Sequence, residues 1–224
     1  MSKFSSIVLA SALAFCASSQ AAVINFNNLA GTNIANNNYI YNAGDSTKYT
    51  HFYNSDAALD GFYFHGNNTY GNTWEYFISS GYGGGGDAAG TAYNGTDFLM
   101  GFGGIVMSSQ NGSAFSVSKI DLVSWQGDQA TATLFGTRMD SSTISYTVDL
   151  STAANWSKQT GNDFTSFSLN GFTGLKSLSI TSSNAGSYLA VDNITVNAVP
   201  EPGSLAIVGL GLGALGLVRR RKRG

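Results

Sequence analysis

The stretch YLAVDNITVN, Tyr188–Asn197, decides the fold of this chain. Leu189 and Val191 alternate with their neighbours, and Ile194 and Val196 alternate in the opposite phase. A period of two places apolar side chains on one face of a β-strand. The change of phase at Asp192-Asn193 predicts a β-bulge, because one extra residue returns Ile194 to the core side.

The same alternation recurs along the chain between turn residues spaced near ten. In TISYTVDL, residues 143–150, it predicts one apolar face made of Ile144, Tyr146, Val148 and Leu150. Eleven or so strands and no convincing helix indicate an all-β fold, a two-sheet β-sandwich of jelly-roll type over residues 22–197. The earlier strands are predicted at Val23–Leu29, Gly61–His65, Trp74–Ser79, Phe98–Met107, Phe115–Trp125 and Thr131–Arg138.

The charge of this body differs from that of its ends. Between residues 22 and 199, five Lys and Arg face twelve Asp and Glu, a net charge of −7. Such a surface repels phosphates, so nucleic acid is not an expected partner. The single cysteine, Cys16, lies outside the body, so thiol chemistry is not expected there.

The N-terminal segment has the three parts of a secretory signal peptide. Lys3 supplies the charge, residues 7–17 the apolar stretch, and Ser19-Gln20-Ala21 the small-x-small site. Residues 1–21 are therefore predicted to engage the Sec translocon and to be cut by signal peptidase between Ala21 and Ala22. A lipoprotein signal at Cys16 is the alternative, although Phe15 occupies a position that requires a small residue.

The C-terminal segment contains GLGALG, residues 211–216, which fits the glycine pattern of a dinucleotide-binding loop. Only eight residues follow and none is acidic, so no second strand or ribose ligand is available. The uncharged run 205–218 instead predicts a membrane helix of roughly 24 Å, counted from Gly203 to Val218. The basic tail that stops it comprises Arg219, Arg220, Arg221, Lys222 and Arg223.

Residues 198–224 resemble a PEP-CTERM sorting signal, with Val199, Pro200, Glu201 and Pro202 ahead of the apolar run and the basic tail. The resemblance implies a Gram-negative bacterium that makes exopolysaccharide, and an exosortase as partner. It also implies an intermediate anchored in the inner membrane, then delivery to the cell surface or extracellular matrix. A plain anchor that is never cut is the alternative.

A second resemblance concerns the ends of the body. INFNNL, residues 24–29, and YLAVDNITV, residues 188–196, are similar to the terminal strands of jelly-roll modules in carbohydrate-binding and MAM-like proteins, in which these strands pair. Some such modules hold a structural calcium, for which Asp192 and Asn193 would be the oxygen ligands. The alternative is a bulge that only positions hydrogen bonds; no cofactor is otherwise expected.

No catalytic residue is predicted. Glu75 is the only glutamate of the body, and alternation places it opposite Trp74 and Tyr76. The body also lacks a G-x-S-x-G elbow and a histidine pair at metal-binding spacing.

Three functions follow from these observations. The first is a non-enzymatic surface or matrix protein associated with biofilm exopolysaccharide. The second is a carbohydrate-binding module using Trp74, Tyr76 and Trp156, since exposed rings stack on sugars. The third is a hydrolase acting on polysaccharide.

Overall fold

The computed structural model describes residues 21–30, 32, 38–42, 48–53, 56–67, 74–78, 94–124, 131–150, 162–183 and 188–198. These residues form fourteen β-strands and contain no helix, so none of them belongs to a helix able to cross a membrane. The strands are β1 (Ala21–Ile24), β2 (Asn38–Asn42), β3 (Lys48–Tyr53), β4 (Ala57–Leu59), β5 (Phe62–Gly66), β6 (Trp74–Ile78), β7 (Phe98–Phe102), β8 (Gly104–Ser109), β9 (Phe115–Ser124), β10 (Thr131–Arg138), β11 (Thr143–Asp149), β12 (Thr165–Ser168), β13 (Leu175–Ser182) and β14 (Tyr188–Ala198).

The strands pair as two layers of a β-sandwich, which confirms the predicted fold class. The first layer has the order β2-β3-β6-β7-β14-β9, with β1 paired to β14 and β12 paired to β9. The second layer has the order β11-β10-β13-β8-β5-β4. A single pair, Leu175 with Phe115, joins β13 to β9 between the layers.

Aromatic rings from the two layers meet in the core. Phe62 of β5 and Phe115 of β9 approach edge to face with ring centroids 5.2 Å apart. Phe26, just after β1, approaches Phe64 of β5 in the same way at 5.4 Å. Such packed pairs bury large apolar areas and hold one sheet against the other.

The first and last strands pair antiparallel, as the resemblance to jelly-roll modules implied. Ala21 lies opposite Asn197 and Ile24 opposite Ile194. Strand β1 is shorter than predicted and ends at Ile24; Phe26 and Leu29 follow it in a turn closed by a Leu29 N–H bond to the Phe26 carbonyl.

Tyr146 lies on the face of Val148 and Leu150, opposite Leu134, but its ring is 46% exposed because, among the described strands, β11 pairs with β10 alone. One predicted strand is wrong. The stretch 98–107 is two strands rather than one, because Gly103 and Gly104 adopt φ values of 74° and 144°. The chain thereby leaves the first layer through β7 and enters the second through β8.

Candidate functional site

The described residues bring a polar cluster to the middle of β14. Asn193 adopts a left-handed φ of 47°, a conformation that asparagine tolerates better than most residues. Leu189 and Val191 are buried before it, and Ile194 and Val196 are buried after it. The predicted change of phase is confirmed, and it coincides with the change of neighbour from β7 to β1.

Asp192 is 1% exposed, and protein donors surround its carboxylate. Asn94 Nδ2 donates to Oδ2 at 2.7 Å and Thr96 Oγ1 donates to the same oxygen at 3.2 Å. The backbone N–H of Asn193 donates to Oδ1 at 2.8 Å. The carboxylate therefore joins β14 to the segment that leads into β7.

Asn193 extends this cluster to a second acid. Its Nδ2 donates to Asp121 Oδ2 at 3.0 Å, and the Ser166 hydroxyl donates to Asp121 Oδ1. Lys119 Nζ lies 3.9 Å from the same Oδ1 at the surface. Asp121 is 7% exposed, so these bonds connect β14, β9 and β12 across a buried position.

Burial raises the pKa of Asp192 above its ordinary value of 3.8, because the charged form loses water. The hydrogen bonds from Asn193, Asn94, Thr96 and Phe26 act in the opposite direction and lower that pKa. Because burial is the largest effect, these hydrogen bonds replace only part of the stabilisation that water gives to the charged form.

This donor arrangement favours the hydrogen-bonding alternative over a calcium site. A calcium ion needs six to eight oxygen ligands, whereas both oxygens of Asp192 accept protein hydrogens and Asn193 turns an amide N–H toward Asp121. Within the part of the chain that the structure describes, no group of three or more His, Cys, Asp and Glu residues could hold a metal ion.

The residues singled out for sugar binding fall in different parts of the chain. Trp74 and Tyr76 lie in β6, opposite Tyr53 and His51 of β3, and Glu75 between them lies opposite Phe52. Trp156, the motif Val199, Pro200, Glu201 and Pro202, and the basic tail lie outside the described residues.

The outer face of the second layer holds two exposed rings that were not among the predicted site residues. Tyr63 of β5 is 37% exposed and Phe135 of β10 is 42% exposed. Alternation along the strands could have predicted this exposure. Phe62 and Phe64 flank Tyr63 and are buried, and Leu134 beside Phe135 is also buried, so Tyr63 and Phe135 fall on the opposite face.

Comparison with known proteins identifies the C-terminal segment. Residues 198–223 match the PEP-CTERM protein-sorting motif, so the chain carries this motif as its sequence predicted. No curated protein sequence matches the chain.

Three solved structures are similar to this chain over 62% to 80% of its length. A DUF4465 family protein from Bacteroides caccae is 14% identical, with 80% of this chain and 100% of that chain covered and a TM-score of 0.44. A family 29 carbohydrate-binding module is 8% identical over 80% and 92% of the two chains, with a TM-score of 0.35. The CBM22-1-GH10 modules of xylanase 10B from Clostridium thermocellum are 14% identical over 62% and 26%, with a TM-score of 0.35.

Proposed function

We propose that this chain is an exported bacterial surface protein that an exosortase sorts, and that its β-sandwich is a non-enzymatic component of an exopolysaccharide-containing extracellular matrix. The observation that carries the proposal is the sorting motif at residues 198–223. In this scheme the Sec translocon exports the chain of a Gram-negative bacterium, and signal peptidase removes residues 1–21. The tail then holds the protein in the inner membrane until cleavage near Val199–Pro202 releases it to the cell surface or matrix.

The strand pairing at the ends of the body supports two such cleavages. Strand β1 begins at Ala21 and β14 ends at Ala198, so both cuts fall at the ends of one antiparallel pair. A cut after Ala21 leaves Ala22, Val23 and Ile24 paired with Val196, Thr195 and Ile194. The sandwich therefore keeps its terminal strands after processing.

The chemistry of the polar cluster supports a non-enzymatic role. Asp192 and Asp121 both accept hydrogen bonds from neighbouring protein groups and are buried. A general acid or base must reach a substrate atom directly or through one water molecule. These two carboxylates instead connect strands.

Replacing Pro200, Glu201 and Pro202 together by alanine is expected to block the C-terminal cut. The protein should then accumulate in the membrane fraction at the mass of a chain that starts at Ala22 and keeps its tail, while the parent protein appears at the surface or in the medium at a lower mass. Intact mass spectrometry of both fractions measures this.

The conservative change Lys222→Arg keeps the basic tail and serves as the matched control, with parental processing expected. Unchanged release of the triple-alanine variant, or a reporter fused upstream of residue 198 that lies in the cytosol, would contradict the proposal.

The matrix role is tested in a strain that lacks exopolysaccharide. In this strain the protein is expected to be lost from the extracellular matrix.

Carbohydrate binding by Trp74, Tyr76 and Trp156 is the second candidate function. The supporting observation is the register, which sets Tyr39, His51 and Tyr76 opposite one another across β2, β3 and β6, and Tyr53 opposite Trp74. Aromatic residues thus recur on adjacent strands of the first layer. A hydrolase acting on polysaccharide is the remaining candidate, and the release of reducing ends would reveal it.

A further inference from the structure

The outer face of the second layer is built from three rows of opposed residues. The first row contains Ser145, Phe135, Ser179, Val106 and His65, one from each of β11, β10, β13, β8 and β5. The second contains Thr143, Thr137, Ser177, Ser108, Tyr63 and Ala58, and the third contains Thr147, Thr133, Thr181 and Gly104. None of these positions is Lys, Arg, Asp or Glu, and the charged residues at the margin of the rows are acidic: Asp56 Oδ1 lies 3.5 Å from His65 Nδ1, and Asp149 lies opposite Thr131 beyond the third row.

Hydroxyl groups dominate these rows, and neighbouring side chains hold several of them in place. Asn67 Nδ2 donates to Ser179 Oγ at 2.7 Å and to Thr181 Oγ1 at 2.9 Å. A hydroxyl that accepts such a bond keeps its own proton for donation. Thr133 Oγ1 and Thr147 Oγ1 lie 3.2 Å apart in the adjoining pair of strands.

The two exposed rings stand apart on this surface. Tyr63 and Phe135 are three strand spacings apart, about 14 Å across the sheet, and two residues apart along it, about 7 Å. No single sugar ring reaches both, so a ligand that uses both must be a chain. Val106, partly buried, lies on the row of Phe135 between the two rings.

The geometry points to this outer face, centred on Tyr63 and Phe135, as a binding surface for an uncharged polysaccharide chain. The inference rests on the proposed association with exopolysaccharide and names its chemical class. Exposed rings match the C–H faces of sugar units, and fixed hydroxyls match sugar hydroxyls. The three rows contain no Lys or Arg that could bind a polyanionic chain, and the acidic body would repel such a chain.

Affinity electrophoresis of the mature protein in gels containing hydroxyethylcellulose or galactomannan, both uncharged, tests this inference. The parent protein is expected to be retarded. Phe135→Ala and Tyr63→Ala are each expected to weaken that retention about tenfold, as loss of an aromatic anchor does. Tyr146→Ala is the matched control, since this ring is as exposed but lies opposite Leu134 on the other side of the sheet; unchanged retention is expected.

Five results would overturn the inference. Four of them are no retention in either gel, retention only in a gel containing the polyanion alginate, an equal loss in Tyr146→Ala, and a dimer that Phe135→Ala converts to a monomer. The fifth is retention that only Trp74→Ala or Trp156→Ala abolishes, which would reject this face but leave carbohydrate binding elsewhere in the protein. The sorting proposal is tested only by the mass of the protein. Its failure can therefore be distinguished from a failure of this face to bind polysaccharide.

Discussion

Gly104→Ala is expected to lower the free energy of unfolding by at least about 3 kcal/mol. The new Cβ would lie 2.2 Å from the Ile180 carbonyl oxygen and 3.1 Å from Thr181 Cα. Both contacts are backbone atoms of β13, and φ at this position is 144°. Relief of the clash requires β8 and β13 to separate where they pair.

Urea denaturation measures this loss, and Gly61→Ala is its matched control. Gly61 also has a positive φ, 83°, but a Cβ there meets nothing within 4 Å. The control should lose only the conformational cost of a left-handed alanine, about 1–2 kcal/mol. Equal losses in the two variants would show that the approach of β8 to β13 is not the cause.

Asp192→Ala is expected to lower the free energy of unfolding by about 3 kcal/mol, because the donors of Asn94, Thr96 and Asn193 lose a buried acceptor. Thermal or urea unfolding measures the change. Asp140→Ala is the matched control, since this exposed carboxylate also accepts a backbone N–H and a hydroxyl, both from Ser142. A loss in the control as large as that in Asp192→Ala would contradict the role of burial.

The pH dependence gives Asp192 a separate signature. Burial raises its pKa in the folded protein above 3.8, so the folded state binds this proton more tightly than the unfolded chain does. Its stabilising contribution is therefore complete below pH 3.8 and is lost as the pH rises through the raised folded value. The free energy of unfolding of the parent protein, relative to that of Asp192→Asn, should therefore fall as the pH rises over that range. A rise over the same range would contradict the raised pKa.

The sequence predicted those features that depend on neighbours along the chain. Alternation located Val148 and Leu150 in the core, and the break in alternation located the change of phase at Asn193. The partners of Asp192 and Asn193 were not predictable in this way, since Asn94 is 98 residues from Asp192 and Asp121 is 72 residues from Asn193. Such contacts depend on strand order, which local periodicity does not encode.

The exposure of Tyr146 and the division of 98–107 into two strands have related causes. Alternation assigns Tyr146 to a face, but its exposure depends on whether another strand lies beside β11. The pattern across 98–107 is continuous in its apolar residues, whereas the positive φ of Gly103 and Gly104 ends one strand and starts another in the other layer. A single glycine pair thus changes the topology without changing the hydrophobic pattern.

The pairing of β14 has a mechanical consequence for a protein held by its tail. Tension applied at residue 198 enters the sandwich along β14, which runs for eleven residues and pairs with β1, β7 and β9. Pulling along this strand loads its hydrogen bonds with β1 side by side, so several must rupture at once instead of opening one after another. As long as the tail remains attached, a pull on it therefore acts on a long strand inside the sandwich, in contrast to a pull on the three-residue β4.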